Sequence, residues 1–235
     1  ESGPISIDRD LAEKGGRIGW LGDFSGHLAF EPGVLALTEK ALGTFEAMGF
    51  VVEAAAPNFD MARLWWAWTT LRSVFTAGSM RDSYEDPARR GSLKPEILYE
   101  VRSGLRVTSA ELYEASALRT AWYQAMLTLF DRFDYLIAPA AQVFPFDADI
   151  PWPREIAGQH MDTYHRWMEV VIGPSMAGLP VAALPAGFSD SGLPNGFQLI
   201  GPPRADARVL SMAAGYEAAT DWLDRIPILT QDGLE

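Results

Sequence analysis

The 235-residue chain contains no cysteine. That excludes disulfides, thiolate metal sites and a cysteine nucleophile, and it fits a reducing cytoplasm, the expected location. Histidine is scarce too, with only His27, His160 and His165. The last two stand on different faces of any helix, so no zinc pattern forms and no metal site is expected. Lysine is limited to Lys14, Lys40 and Lys94. No apolar run approaches the ~18 residues of a membrane span. The opening ESGPISIDRDLAEKGG lacks the charged-then-apolar layout of a signal peptide, and it lacks an initiating Met. We therefore expect a processed protein or a piece of a longer chain. Positive charge is also in deficit, with 19 Lys and Arg against 31 Asp and Glu and a net charge of −12. Such a surface repels phosphate backbones and anionic headgroups, so neither nucleic acid nor a membrane is an expected partner.

What remains is ordinary globular material. A hydrophobic content of 48% and a charged content of 21% are enough for a real core and argue against disorder. Residues 1–16 are polar and Gly-rich and read as an N-terminal linker; residues 17–235 read as one folded unit. Arg17–Leu21 predicts a buried strand. Pro32 sits where a helix would begin, and Val34, Leu37, Ala41, Phe45 and Met48 carry the helical spacing up to Gly49. Phe50–Ala56 predicts a second strand, completing a strand–helix–strand unit. Residues 60–132 are mainly helical. Leu64, Trp68, Leu71 and Phe75 form one apolar stripe, and Thr108–Glu111 has the spacing of a capping box opening a helix to about Phe133.

Tyr135–Ala141 predicts a third buried strand and Asp147–Gly158 a loop. Met161–Ala177 predicts a helix broken at Gly173-Pro174. Val181–Phe188 and Gly196–Gly201 flank turn-forming residues and predict neighbouring strands, with Asn195-Gly196 able to take positive φ. Asp206–Thr220 closes the chain as a helix with Val209, Met212 and Tyr216 on one side. The expected fold class is α/β, a mixed sheet flanked by helices.

Four stretches carry a family resemblance. They are GRIGWLGDF (Gly16–Phe24) with FVVEAAAP (Phe50–Pro57), RFDYLIAPAA (Arg132–Ala141), MAGLPVAALPAGF (Met176–Phe188) and GLPNGFQLIGPPRADARVL (Gly192–Leu210). In this order and spacing they resemble the C-terminal half of amidase-signature hydrolases. The resemblance implies hydrolysis of a carboxylic amide C–N bond through an acyl-serine, without metal or cofactor. In that family a nucleophilic serine is activated by a second serine and a neutral lysine, and backbone N–H groups hold the oxyanion. The nucleophile's Gly-Gly-Ser-Ser-Gly-Gly-like stretch is not found in this sequence, and none of the three lysines matches the family's. The triad precedes the region resembled here, so the catalytic residues are expected upstream of Glu1 and none within this chain. Alone, the chain should be inactive. The expected partners are a small-molecule amide and the N-terminal half. Without that half, open strand edges should make the chain self-associate. A noncatalytic ligand-binding or regulatory module of the same half-fold is the alternative.

The resemblance implies that Tyr135–Ala141 ends near the acyl pocket. The turn after it, Gln142, Val143, Phe144 and Phe146, would then face the substrate, with Trp152, Tyr164 and Trp167 close enough in sequence to contribute. Other features read as structural. Ser175, in Gly-Pro-Ser-Met-Ala, lacks the Gly that a nucleophile elbow needs. Asp147 and Asp149 read as turn residues, and Trp65, Trp66 and Trp68 read as core.

Overall fold

A computed structural model describes Ile7 and residues 15–222. Most of the expected linker, residues 1–16, lies outside the described residues, Glu1 included, and Gly16 already opens the first strand. Strand β1 (Gly16–Trp20), helix α1 (Val34–Ala47) and strand β2 (Phe50–Ala54) form the expected unit, the two strands being parallel. Helices α2 (Met61–Ser79), α3 (Arg81–Glu85), α4 (Pro87–Arg90), α5 (Pro95–Gly104) and α6 (Ser109–Phe130) follow. The chain then returns to the sheet as β3 (Tyr135–Pro139), parallel to β1. After the two-residue strands β4 (Glu155–Ile156) and β5 (Gln159–His160), a 3₁₀ segment (Arg166–Val171) and α7 (Ile172–Ala177), strands β6 (Val181–Phe188) and β7 (Pro194–Ile200) pair antiparallel. Helix α8 (Asp206–Ala218) closes the described fold. The sheet order is β2-β1-β3-β7-β6, a mixed sheet flanked by helices.

Strand β3 is buried at every position. Alternate residues point to opposite faces, and the two faces feed two cores. Leu136 and Ala138 join Leu64, Trp65, Trp122 and Met126 under α2, α6 and α7. Tyr135 and Ile137 join Phe45, Phe197, Leu199, Met212 and Tyr216 under α1 and α8. Phe45, Phe197 and Tyr216 pack ring to ring with centroids 5.1 to 5.7 Å apart.

Local signals explain most boundaries. Thr108 and Glu111 satisfy each other's backbone N–H groups in the expected capping box, and Gly49 (φ 90°) stops α1. Elsewhere the structure corrects the sequence reading. Pro32 lies outside α1, whose N-cap is Gly33 in the left-handed region. Phe75 is 75% exposed; α2 instead buries Leu64, Trp65 and Ala67 and then Thr70, Ser73 and Thr76, because the helix facing it presents polar groups there. The expected helix over 161–177 forms only from Arg166 on, as the 3₁₀ segment and α7. Residues 161–165 are irregular, and the break at Gly173-Pro174 does not occur, because Pro174 sits in the first turn of α7, where its missing N–H costs nothing. The loop over 147–158 contains β4, turned into β5 by positive φ at Ala157 and Gly158. The β6–β7 turn is made at Ser189–Leu193 with Gly192 at positive φ, not at Asn195-Gly196, which lies inside β7.

Helices α2 and α5 pack closely because Gly104 has no side chain. A Cβ there would collide with the Ser73 carbonyl oxygen. Gly43, in contrast, is exposed in α1 with nothing near its would-be Cβ. Gly104→Ala should therefore destabilise the chain by about 1–3 kcal/mol through overpacking, while Gly43→Ala should stabilise it by about 0.5–1 kcal/mol. Denaturant melts of the two variants check both signs.

Candidate functional site

The residues following β3 are held by polar cross-links. Gln142 is 1% exposed; its Nε2 donates to the Ala29 carbonyl at 2.9 Å and its Oε1 accepts from Val170 N–H at 3.1 Å. Its own carbonyl accepts from Glu31 N–H at 2.8 Å. One side chain thus ties the β1–α1 loop to the 3₁₀ segment, and both ends of its carboxamide are occupied within the chain. Asn195 Nδ2 donates to the Val143 carbonyl at 3.2 Å, and Phe144 N–H donates to Glu31 at 2.9 Å.

The structure brings five of the seven sequence candidates together. Val143 and Trp152 are buried in one small cluster with Ile156 and Met161, and Tyr164 and Trp167 pack against it. Phe146 meets Trp167 edge-on, with centroids 5.4 Å apart. The other two are set apart: Gln142 is a buried cross-link, and Phe144, 6% exposed, packs into the large core and only borders a separate hollow between α1 and the β6–β7 turn. The serines and lysine of the expected triad, placed upstream of Glu1, have no counterpart to compare, since Glu1 itself lies outside the described residues.

The small cluster borders a cleft of about 270 Å³ walled by Trp152, Tyr164, Thr163, Arg154 and Tyr99. The Arg154 guanidinium lies 3.6 Å over the Trp152 ring, a cation–π contact that fixes that wall. Tyr99 and Thr163 also line an adjoining cleft of about 210 Å³, bounded by Trp66, Arg72, Ser73, Glu100 and His165. The buried Trp167 Nε1 and Thr163 Oγ1 have no hydrogen-bond partner among the described residues. Unsatisfied buried donors cost about 1–3 kcal/mol each and are uncommon away from sites that meet a ligand or water.

Sequence reasoning missed the charged centre of the second cleft. Glu100, 2% exposed, accepts from Arg72 Nε at 3.0 Å and from Thr76 Oγ1 at 2.6 Å. Thr76 meets Oε2, while Oε1, which takes the Arg72 bond, also accepts from His165 Nε2. Arg72 and His165 share this acceptor, which brings their nitrogens to 3.0 Å, and with Glu100 ionised the His165 proton sits on Nε2. Burial pushes the Glu100 carboxyl up, but hydrogen bonds from His165 and Thr76 and the charge of Arg72 outweigh it, so its pKa lies below the ordinary value. These partners lie far apart in the chain, on α2, α5 and the irregular segment before the 3₁₀ turn, so no local motif announces them.

The features read as structural have structural partners. Ser175 Oγ donates to the Val171 carbonyl at 3.1 Å, and Asp147 Oδ1 accepts from Asp149 N–H at 2.9 Å. Trp65 is buried, with Trp66 and Trp68 packed beside it. Among the described residues, no group of three His, Asp or Glu side chains could hold a metal, and no helix is long and apolar enough to cross a membrane.

Against solved structures, the fold is that of amidase-signature enzymes. A bacterial aryl acylamidase of that family superposes with a TM-score of 0.81 at 25% identity, over 95% of this chain and 48% of that one. The 6-aminohexanoate cyclic dimer hydrolase shares the fold at a TM-score of 0.76 and 18% identity, again over 48% of its chain. The chain belongs to the Amidase family, whose family model matches residues 2–210. Among curated relatives, an acylamidase of Rhodococcus erythropolis is 28% identical over 239 residues, covering 95% of this chain and 48% of its own length. One component of the glutamyl-tRNA(Gln) amidotransferase of a Synechococcus strain is 34% identical over 166 residues, or 68% of this chain and 30% of its own length. The chain spans about half the length of the acylamidase, and less of the amidotransferase component.

The depressed pKa of Glu100 fixes the sign of a pH effect. A carboxylate whose folded pKa is lowered adds stability above its unfolded value, about 4.3 for Glu, and loses it as pH falls through the folded value. Tm should therefore drop on acidification below about pH 4.3, and the drop should be shallower in Glu100→Gln. Superimposable acid limbs for the two proteins would show that Glu100 is not the group responsible.

Proposed function

We propose that this chain is the C-terminal half of an amidase. The complete enzyme hydrolyses a carboxylic amide C–N bond through an acyl-serine, with the two serines and the lysine supplied by residues upstream of Glu1, outside these 235. One observation carries the reading. The Amidase family model matches residues 2–210, yet the sequence has no Gly-Gly-Ser-Ser-Gly-Gly segment for the nucleophile and covers 48% of an acylamidase.

The chain's own contribution is a wall. Trp152 and Tyr164, backed by Val143, Phe146 and Trp167, offer an aromatic surface to a cleft that suits the body of a small amide. Such a wall binds and orients; it supplies neither nucleophile nor base. Discrimination between acyl shapes by surfaces of this kind amounts to about 1–3 kcal/mol. Phe144 belongs with this wall only if the other half brings the substrate to the hollow beside α1.

The decisive comparison uses two proteins: the 235-residue chain, and the same chain extended by its upstream coding sequence. Both are assayed on simple aryl amides and sedimented. The short chain should show no turnover and should associate with itself, whereas the extended chain should turn over. In the extended chain, Tyr164→Ala, at a half-buried position of the wall, should change KM or acyl preference by up to about 100-fold with the melting temperature little altered. Measurable turnover by the short chain alone would overturn the reading. An inactive extended chain without a serine–lysine set would mark a noncatalytic module instead.

A further inference from the structure

The second cleft holds a buried charged cluster that a wall for an acyl chain does not require. Its best-placed group is Arg72. The guanidinium is oriented from one edge, where Nε donates to the buried Glu100, and its Cζ lies 5.5 Å over the Trp68 ring. The two terminal nitrogens make no hydrogen bond among the described residues, while Arg72 lines the cleft with its side chain 38% exposed. An Arg fixed through Nε presents its remaining N–H groups as a planar fork, which matches the two oxygens of a carboxylate. The Nε bond and the Trp68 ring already orient it, so less rotamer freedom is lost when a ligand docks than for a free Arg.

The surrounding groups point to the same chemistry. Thr163 Oγ1, in the wall shared with the first cleft, is a buried hydroxyl with no partner among the described residues. Glu100, the carboxylate that lines this cleft, is consumed by Arg72, Thr76 and His165. The charged capacity left open at this cleft is therefore the donor fork of Arg72, among lining hydroxyls such as Thr69 and Ser73 that donate to backbone carbonyls. Trp66 and Tyr99 supply flat apolar walls, and the volume is about 210 Å³, room for a ring-sized body.

We infer that the cleft between α2, α5 and residues 163–165 binds a small carboxylate with a flat apolar body, its carboxylate forked on the Nη groups of Arg72. The site uses only groups of this chain and does not depend on amide hydrolysis.

Calorimetric titration of the 235-residue chain with benzoate, benzamide and acetate tests the inference, and no turnover is involved. Benzoate should bind at least about tenfold more tightly than benzamide, which lacks the charge, and more tightly than acetate, which lacks the ring. Benzoate affinity should fall as salt rises. Arg72→Lys keeps the charge and removes the fork, and it should weaken benzoate by about tenfold or more. Should Arg72→Lys lose its native circular dichroism, Thr163→Val is the second probe, with an expected weakening of about threefold to tenfold. Ser116→Ala, in a separate hollow, should leave binding unchanged. Equal affinity for benzoate and benzamide, no binding of either, or unchanged benzoate affinity in natively folded Arg72→Lys or Thr163→Val overturns the inference.

Discussion

The constraint on which the architecture depends is the two-sided burial of β3. Tyr135–Pro139 has no charged side chain and no exposed position, so both faces must be roofed, and that requires helices on both sides of the sheet. The chain between β2 and β3 supplies one roof with α2 and α6, and α1 and α8 supply the other. Trp122 links the first roof to the segment after it: its indole N–H donates to the Gly173 carbonyl at 2.7 Å, and Arg119 reaches the Met176 carbonyl at 3.0 Å. The polar clamp of Asp134 closes the other side. It accepts from Arg17 N–H at 3.0 Å and from Arg208 at 2.7 Å, joining β1 to α8 at the foot of β3.

The range of an interaction decides how legible it is in the sequence. Strands whose residues are apolar in themselves, such as Tyr135–Pro139 and Val181–Phe188, can be read directly, as can the capping box at Thr108 and the stop at Gly49. The failures fall where a distant partner decides. Residues 161–171 have helical composition, and Arg166 makes helix-spaced pairs with Asp162 and Glu169, but its guanidinium also lies 4.0 Å over Trp65 and Glu169 is taken by His27 at 2.9 Å. Those tertiary demands outweigh a propensity worth only tenths of a kcal/mol per residue. The same holds for the stripe on α2. Helical periodicity runs through Leu64, Trp68 and Leu71 to Phe75, yet the helix buries Thr70, Ser73 and Thr76 instead, because α5 brings Glu100 against that face.

The candidate site divides in the same way. Aromatic residues clustered in sequence after β3 are clustered in space, since a short irregular stretch cannot carry Val143, Phe146 and Trp152 far from one another. Phe144 goes the other way, because neighbours in an extended turn point to opposite sides. No local rule finds Arg72, Glu100 and His165. Each looks like a solvated charge or an isolated ring until α2 and α5 cross, and that crossing depends on a glycine whose spacing from Ser73 is visible only in three dimensions.

The edges of the sheet bear on the self-association proposed for the chain. Along β6, Leu184, Ala186 and Gly187 are buried, while Val181, Ala183, Pro185 and Phe188 are exposed. Every exposed residue in that row is apolar, and among the described residues β6 pairs on one side only. Proteins that end a sheet in water blunt such an edge with charges, bulges or a covering loop. Here the register irregularity at Pro185–Gly187 bends the strand, but no charged side chain stands in the row. The opposite edge, β2, carries a half-buried Glu53 held by Arg17 at 2.7 Å, but its exposed positions, Val51 and Ala54, are apolar too. Pro185 and the bulge guard β6 and Glu53 guards β2, so each edge carries its own device against open pairing while leaving apolar side chains in water.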